Sequence, residues 1–240
     1  MADSADARVI YGDHPDQFVD LWLPPEVPIG TIILIHGGYW RDIYGLDLFD
    51  PLATHLAQRG WAVLNIEYRR IAHDTAPPVW SDMAADVLSA TQIAQAHPVV
   101  AVGHSAGGQL ALWLGAQDGG VDAVVALAPV ADLRAADALN LSSGAVRALL
   151  GGSAAERPAL YDAASPKALL PLGVPQLVIH GDADESVPQH ISLDYTKAAR
   201  AAGDDVTLLT PVGVDHMQII DPHDDTWRSI DDQLTSWSEA

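Results

Sequence analysis

Four apolar residues, Val99-Val100-Ala101-Val102, run straight into Gly103-His104-Ser105-Ala106-Gly107-Gly108 and on into a segment with Leu110, Ala111 and Leu114 on one face. A strand that turns directly into a helix across Gly-x-Ser-x-Gly leaves few folds open. The turn is so sharp that the serine side chain stands clear of the backbone. Glycines flank it because side chains there would collide with the neighbouring strand and helix. Without its surroundings Gly-x-Ser-x-Gly says little, since both residues are common in loops. Between a strand and a helix it marks Ser105 as a candidate nucleophile, with His104 beside it as a candidate substrate contact.

A nucleophile of this kind needs donors for the oxygen that turns negative in acyl transfer. Thr31-Ile32-Ile33-Leu34-Ile35 is a continuous β-branched and aliphatic run, as expected of a strand buried on both faces of a parallel sheet. It ends in His36-Gly37-Gly38-Tyr39-Trp40. Glycines let the backbone approach a bound carbonyl closely. The N–H groups of Gly37, Gly38 and Ala106 are therefore the candidate donors, the bland alternative being a tight turn with no ligand. Tyr39 and Trp40, next along, are candidates to line a pocket, although aromatics beside glycines are as often plain core.

The orienting acid and the base follow in the order Ser, Asp or Glu, His when the serine sits on such a turn. Pro175-Gln176-Leu177-Val178-Ile179 is a second buried-type strand and leads into His180-Gly181-Asp182-Ala183-Asp184-Glu185-Ser186. Loops after parallel strands share one rim of the sheet, so this one lies on the rim of the serine turn. Asp184 is the expected acid, with Asp182 and Glu185 as alternatives. A last strand, Val206-Thr207-Leu208-Leu209-Thr210, is followed by Val214-Asp215-His216-Met217. His216 stands where the general base belongs. Met217 is a further pocket candidate, and His223, in the acidic stretch 221–225, is the competing histidine. A metal bound by His216, Asp221 and His223 is the weaker alternative, since nothing else offers a cluster with ligand spacing.

These residues together resemble the α/β-hydrolase superfamily across nearly the whole chain. The segment His36-Gly37-Gly38-Tyr39-Trp40 is similar to the His-Gly-Gly-x-Trp signature of the kynurenine formamidase-like and carboxylesterase group. Esterases of the hormone-sensitive-lipase type carry a third glycine where this chain has Tyr39. The stretch Gly60-Trp61-Ala62-Val63-Leu64-Asn65-Ile66-Glu67-Tyr68-Arg69-Arg70 and Ala164-Ser165-Pro166 resemble the same group. The resemblance implies Ser105, Asp184 and His216 as a triad and Gly37, Gly38 and Ala106 as the oxyanion hole. It implies no substrate, because formamidases and general esterases share the motifs.

A chain of 240 residues that is 49% hydrophobic has enough apolar mass for one large core. No linker or internal repeat divides it, so residues 1–240 are expected to form a single domain. Short strands are expected around 8–11 and 17–23, then helices over 47–59 and 79–96. A strand at 123–127 and helices over 189–202 and 225–237 complete a β–α alternation, hence a mostly parallel sheet covered on both faces. The region 129–173 fits this ladder least well. It reads either as a small cap over the site or as ordinary surface packing.

The net charge is −20, from 32 acidic and 12 basic residues. Such a surface repels nucleic acid and anionic membranes, so neither is an expected partner. With no cysteine there is no disulfide or thiol chemistry. The acidic N-terminus lacks the apolar core of a signal peptide and no run approaches membrane-spanning length, so a cytoplasmic setting is expected. No cofactor and no metal are called for, and nothing demands an oligomer.

The expected activity is hydrolysis of a small carboxylic ester through an acyl-enzyme. An arylformamidase acting on N-formylkynurenine is one alternative, and a catalytically inactive hydrolase fold used for binding is another. Dehalogenase and dienelactone hydrolase readings are disfavoured, because the turn carries serine rather than aspartate or cysteine.

Overall fold

In the computed structural model, residues 4–72 and 79–239 are described. Residues 1–3, which open the acidic N-terminus, lie outside them. Among the described residues eight strands form one sheet: β1 (Ala7–Ile10), β2 (Phe18–Trp22), β3 (Thr31–Ile35), β4 (Ala62–Ile66), β5 (Val99–His104), β6 (Ala123–Leu127), β7 (Gln176–Ile179) and β8 (Val206–Leu209). Their spatial order is β1-β2-β4-β3-β5-β6-β7-β8, antiparallel at the two N-terminal strands and parallel from β4 onward.

The parallel strands are apolar throughout because both faces are covered. Alternate residues feed two cores: Ile33, Ile35, Ala101, Ala126 and Val178 on one face, Ile32, Leu34, Val102, Leu127 and Ile179 on the other. The first face carries helices α2 (Trp80–Thr91), α3 (Ala106–Gly115) and α7 (His190–Ala202); the second carries α1 (Asp50–Gln58) and α8 (Thr226–Ser238). Each fully buried aliphatic side chain contributes about 1.5–3 kcal/mol.

Two helices differ from expectation at their ends. The segment expected to be helical from 47 opens as a 3-10 turn over Leu46–Phe49, and α1 begins at Asp50. Pro51 sits in its first turn, where a missing N–H costs no hydrogen bond. Helix α2 ends at Thr91 rather than 96. Beyond it, Thr31 Oγ1 donates to the Ala96 carbonyl at 2.7 Å, tying the chain to the start of β3.

The region 129–173 forms three short helices, α4 (Leu133–Ala138), α5 (Ala145–Leu150) and α6 (Pro158–Ala164). It packs on α3 through Gln109 Nε2, which donates to the Ala164 carbonyl at 2.8 Å, and Trp113 Nε1, which donates to that of Ala163 at 3.1 Å.

Register decides where the loops emerge. Ile35 pairs with Gly103, His104 with Leu127, Leu127 with Ile179 and Ile179 with Leu209. Five strands, β3 and β5 to β8, thus end at one level, and the glycine loop, the serine turn, the Asp184 loop and the His216 loop leave four of them along the same rim.

Candidate active site

Ser105 links β5 to α3 at φ 57° and ψ −117°, a conformation a side-chain-bearing residue adopts only under strain. The strain is held by packing. A Cβ added to Gly103 would lie 2.1 Å from the Gly107 carbonyl oxygen, and one added to Gly107 would lie 1.9 Å from that of Ile35. Helix α3 therefore rests directly on β3 and β5, and Ser105 is pushed out at the junction. Its N–H donates to the Leu127 carbonyl at 2.8 Å, which fixes the turn against β6.

The Asp184 side chain is buried, and Oδ2 accepts from His216 Nδ1 at 2.6 Å. Oδ1 accepts the N–H groups of Ser186 (2.8 Å) and Val187 (2.9 Å). Burial works to raise the Asp184 carboxyl. Hydrogen bonds from His180, His216 and the Val187 amide outweigh it and hold the carboxyl far below the usual range. Asp182 is spent on the Gly213 N–H at 2.6 Å, and Glu185 is exposed. With Nδ1 bonded to Asp184, Nε2 is the ring nitrogen of His216 that does not face the carboxylate.

The glycine loop is wired from behind. His36 is fully buried, with Nδ1 2.8 Å from the Gly37 carbonyl oxygen and Nε2 2.9 Å from Glu67 Oε1. Drawing the Gly37 carbonyl toward His36 turns the Gly38 N–H of the same trans peptide the opposite way. Gly38 itself has φ +109°. Burial works to raise the Glu67 carboxyl, but its contacts with His36 and Arg70 lower it on balance. Tyr68 stacks on His36 at 4.6 Å, and its hydroxyl donates to the His36 carbonyl. Sequence reasoning missed Glu67 and Arg70; an acid and a base three residues apart after a buried strand were the available signal.

These loops enclose a cavity of about 260 Å³. Ser105, His104 and His216 line it together with Gly37, Gly38 and Tyr39, and Tyr44, Leu48, Ser186 and Met217 complete the wall. The Tyr39 hydroxyl donates to the Ser186 carbonyl at 2.7 Å, joining the glycine loop to the Asp184 loop. His104 Nε2 donates to the His216 carbonyl at 2.8 Å. Burial first, then the nearby His216, lower the His104 pKa to about 3, so its ring is neutral.

Trp40 is not in the cavity wall. It is fully buried, and its Nε1 donates to Gln109 Oε1 at 3.0 Å in the core beneath. No residue of 129–173 lines the cavity. Ala106 is the first residue of α3, and its N–H belongs to the open first turn of that helix. His223 lies away from the serine, in the wall of a surface cleft with Arg59 and Asp231. Among the described residues no group of three or more His, Cys, Asp or Glu could hold a metal ion, and no helix is long and apolar enough to cross a membrane.

The BD-FAE family model matches residues 19–198, from β2 through most of α7. The chain belongs to the BD-FAE family. The match includes Ser105 and Asp184 and stops short of His216. The fold is that of the α/β hydrolases: a truncated form of a carbohydrate esterase from gut microbiota superposes with a TM-score of 0.86 at 22% identity, covering 100% of this chain and 99% of that one. Thermogutta terrifontis esterase 2 superposes with a TM-score of 0.76 at 20% identity over 96% and 92% of the two chains. At such identities the likeness is one of fold. Among curated proteins, esterase LipC of Mycobacterium tuberculosis is 27% identical over 228 residues, 81% of this chain and 55% of LipC. A probable isoprenylcysteine alpha-carbonyl methylesterase of Oryza sativa is 37% identical over 84 residues, 34% of this chain and 20% of that protein. The chain thus spans about half the length of LipC and less of the methylesterase.

Proposed function

We propose that this BD-FAE chain is a serine hydrolase of small carboxylic esters that works through an acyl-enzyme. The observation that carries the reading is the buried Asp184 bonded at 2.6 Å to His216, in a cavity that His216 shares with Ser105 on its strained turn.

In this mechanism Asp184 holds the His216 ring with its hydrogen on Nδ1 and stabilises the imidazolium that forms. His216 Nε2 takes the Ser105 proton as Oγ attacks the ester carbonyl. The N–H groups of Gly37, Gly38 and Ala106 receive the oxyanion, each donor contributing about 3 kcal/mol to the transition state. His216 returns the proton to the leaving alcohol, and water then repeats the sequence on the acyl group. The esterase names carried by LipC and by the structural neighbours support the same chemistry.

Beside the reacting groups the cavity is lined by Tyr39, Tyr44, Leu48 and Met217, and its wall has no lysine or arginine. With a net charge of −20, that wall fits an uncharged small molecule better than a nucleic acid or an anionic lipid. A formamide would use the same groups. Trp40, the tryptophan of the His-Gly-Gly-x-Trp segment, is buried against Gln109 and does not favour a formyl substrate over an acetyl one.

The test is kcat/KM for p-nitrophenyl acetate beside N-formylkynurenine, with Ser105→Ala as background. Ester turnover that vanishes in the variant supports the proposal. A strong preference for the formamide would replace the ester with the formamidase reading. No turnover of either, with no labelling of Ser105 by a fluorophosphonate, would leave an inactive binding fold.

A further inference from the structure

His180 follows β7 directly, its ring is completely buried, and the acyl-transfer scheme does not use it. Its Nε2 lies 3.2 Å from Asp184 Oδ2, the oxygen that already accepts from His216 Nδ1. The same Nε2 lies 2.9 Å from the Val187 carbonyl oxygen, and Nδ1 lies 2.7 Å from Ser192 Oγ on α7. A ring nitrogen that faces a carbonyl and a carboxylate oxygen together is a donor, so Nε2 carries a hydrogen shared between them. The buried Ser192 hydroxyl completes the other side of the ring.

Among the described residues, Asp184 thus collects four donors: two amides on Oδ1, and His216 and His180 on Oδ2. Each donor stabilises the ionised carboxyl and draws negative charge from its oxygens. A carboxylate whose charge is shared with His180 attracts a proton on His216 less strongly than one bonded to His216 alone.

We propose that His180 is a positioning residue that sets the basicity of His216 through Asp184. It keeps His216 a weaker base than an unshared His–Asp pair would be, so that more of it is free to accept a proton near neutral pH. The kinetic consequence rests on the triad reading; the titration of His216 does not. The other titratable groups around the pair are His104, whose ring centre is 4.5 Å from that of His216, and Tyr39, whose hydroxyl is on Ser186. Asp182 and Asp215 are bonded to backbone amides of the adjoining loops. All of these remain when His180 is replaced, so a changed His216 titration reports the His180–Asp184 contact.

The experiment is an NMR titration of the His216 imidazole in the full chain, beside the pH dependence of kcat/KM for p-nitrophenyl acetate. His180→Leu is expected to raise the His216 midpoint by about one pH unit, and His180→Gln, whose amide nitrogen restores a donor, to bring it back much of the way. The acid limb of kcat/KM moves with it, so activity lost near neutral pH returns at higher pH. An unchanged His216 midpoint in His180→Leu overturns the proposal. If that variant does not fold, Ser192→Ala loosens the ring while keeping it: a smaller upward shift supports the proposal and no shift overturns it. Should the chain hydrolyse no ester, the triad reading fails by itself while the titration still decides the role of His180.

Discussion

His104 donates from Nε2 to the main-chain carbonyl of His216 at 2.8 Å, and the two rings lie with their centres 4.5 Å apart. The residue before Ser105 therefore holds the loop that carries His216. It does so as a neutral ring, because burial has moved its pKa from 6.5 to about 3. Between those values the unfolded chain binds a proton that the folded chain refuses, so stability falls as pH falls through that window. Asp184 adds to this lower down: its carboxyl is depressed on folding, and its contribution, present above its ordinary value of 3.8, is lost as pH drops further. The urea midpoint is expected to decline steadily from pH 6.5 to pH 4, and His104→Gln to be less stable at neutral pH but flatter across that range. A wild-type midpoint independent of pH over this interval would contradict the assignment.

Gly107 is the tightest contact behind the serine turn. Gly107→Ala sets a methyl against the Ile35 and His36 carbonyls, which belong to backbone and cannot swing away. The expected cost is on the order of 3 kcal/mol, with activity lost as α3 lifts from β3. Gly108→Ala meets its nearest neighbours at 3.0 Å or more and serves as the milder comparison. Chemical denaturation of both variants checks the ranking.

Tyr39→Phe removes the hydroxyl that joins the glycine loop to Ser186 across the cavity. A loss of about 1 kcal/mol is expected. Burial, reinforced by the Asp184 charge, pushes the Tyr39 pKa up to about 12, so this hydroxyl stays protonated through the working range. The alkaline limb of the rate profile should therefore be the same in Tyr39→Phe and wild type, which a pH series of kcat/KM checks.

The placement of Ser105, Asp184 and His216 on one rim was legible because each depends on local order: an apolar strand, then a turn residue, taken in sequence. The parallel core was legible for a similar reason, since strands buried on both faces are apolar without alternation. Trp40 was not. Its placement turns on Tyr39 and Trp40 both having positive φ, 50° and 59°, which carries the indole down to Gln109 instead of toward the serine. Nothing in a Gly-Gly-Tyr-Trp string announces the sign of φ at its aromatics. Tyr44 and Ser186 escaped notice because they reach the cavity from irregular chain with no periodicity to read, and Leu48 because it sits on the 3-10 turn that precedes α1. The contact of Glu67 with His36 joins segments 31 residues apart, while those of His180 with Asp184, Val187 and Ser192 are close in sequence but join a loop to its own turn and to the start of α7, with no periodicity to announce them.

Trp40→Phe follows from that placement. It keeps most of the buried area but loses the hydrogen bond to Gln109, so about 1–2 kcal/mol of stability should go. The ratio of kcat/KM for N-formylkynurenine to that for p-nitrophenyl acetate should not change. A shift in this ratio at constant fold would return Trp40 to the substrate site.

The most direct measurement is rapid-quench mass spectrometry of the chain mixed with p-nitrophenyl acetate, with peptide mapping and Ser105→Ala in parallel. A single acetyl adduct is expected on the peptide carrying Ser105. The variant is expected to carry no adduct and to lose turnover on the order of 10⁴-fold or more. An adduct on another residue, or undiminished turnover in Ser105→Ala, would contradict it.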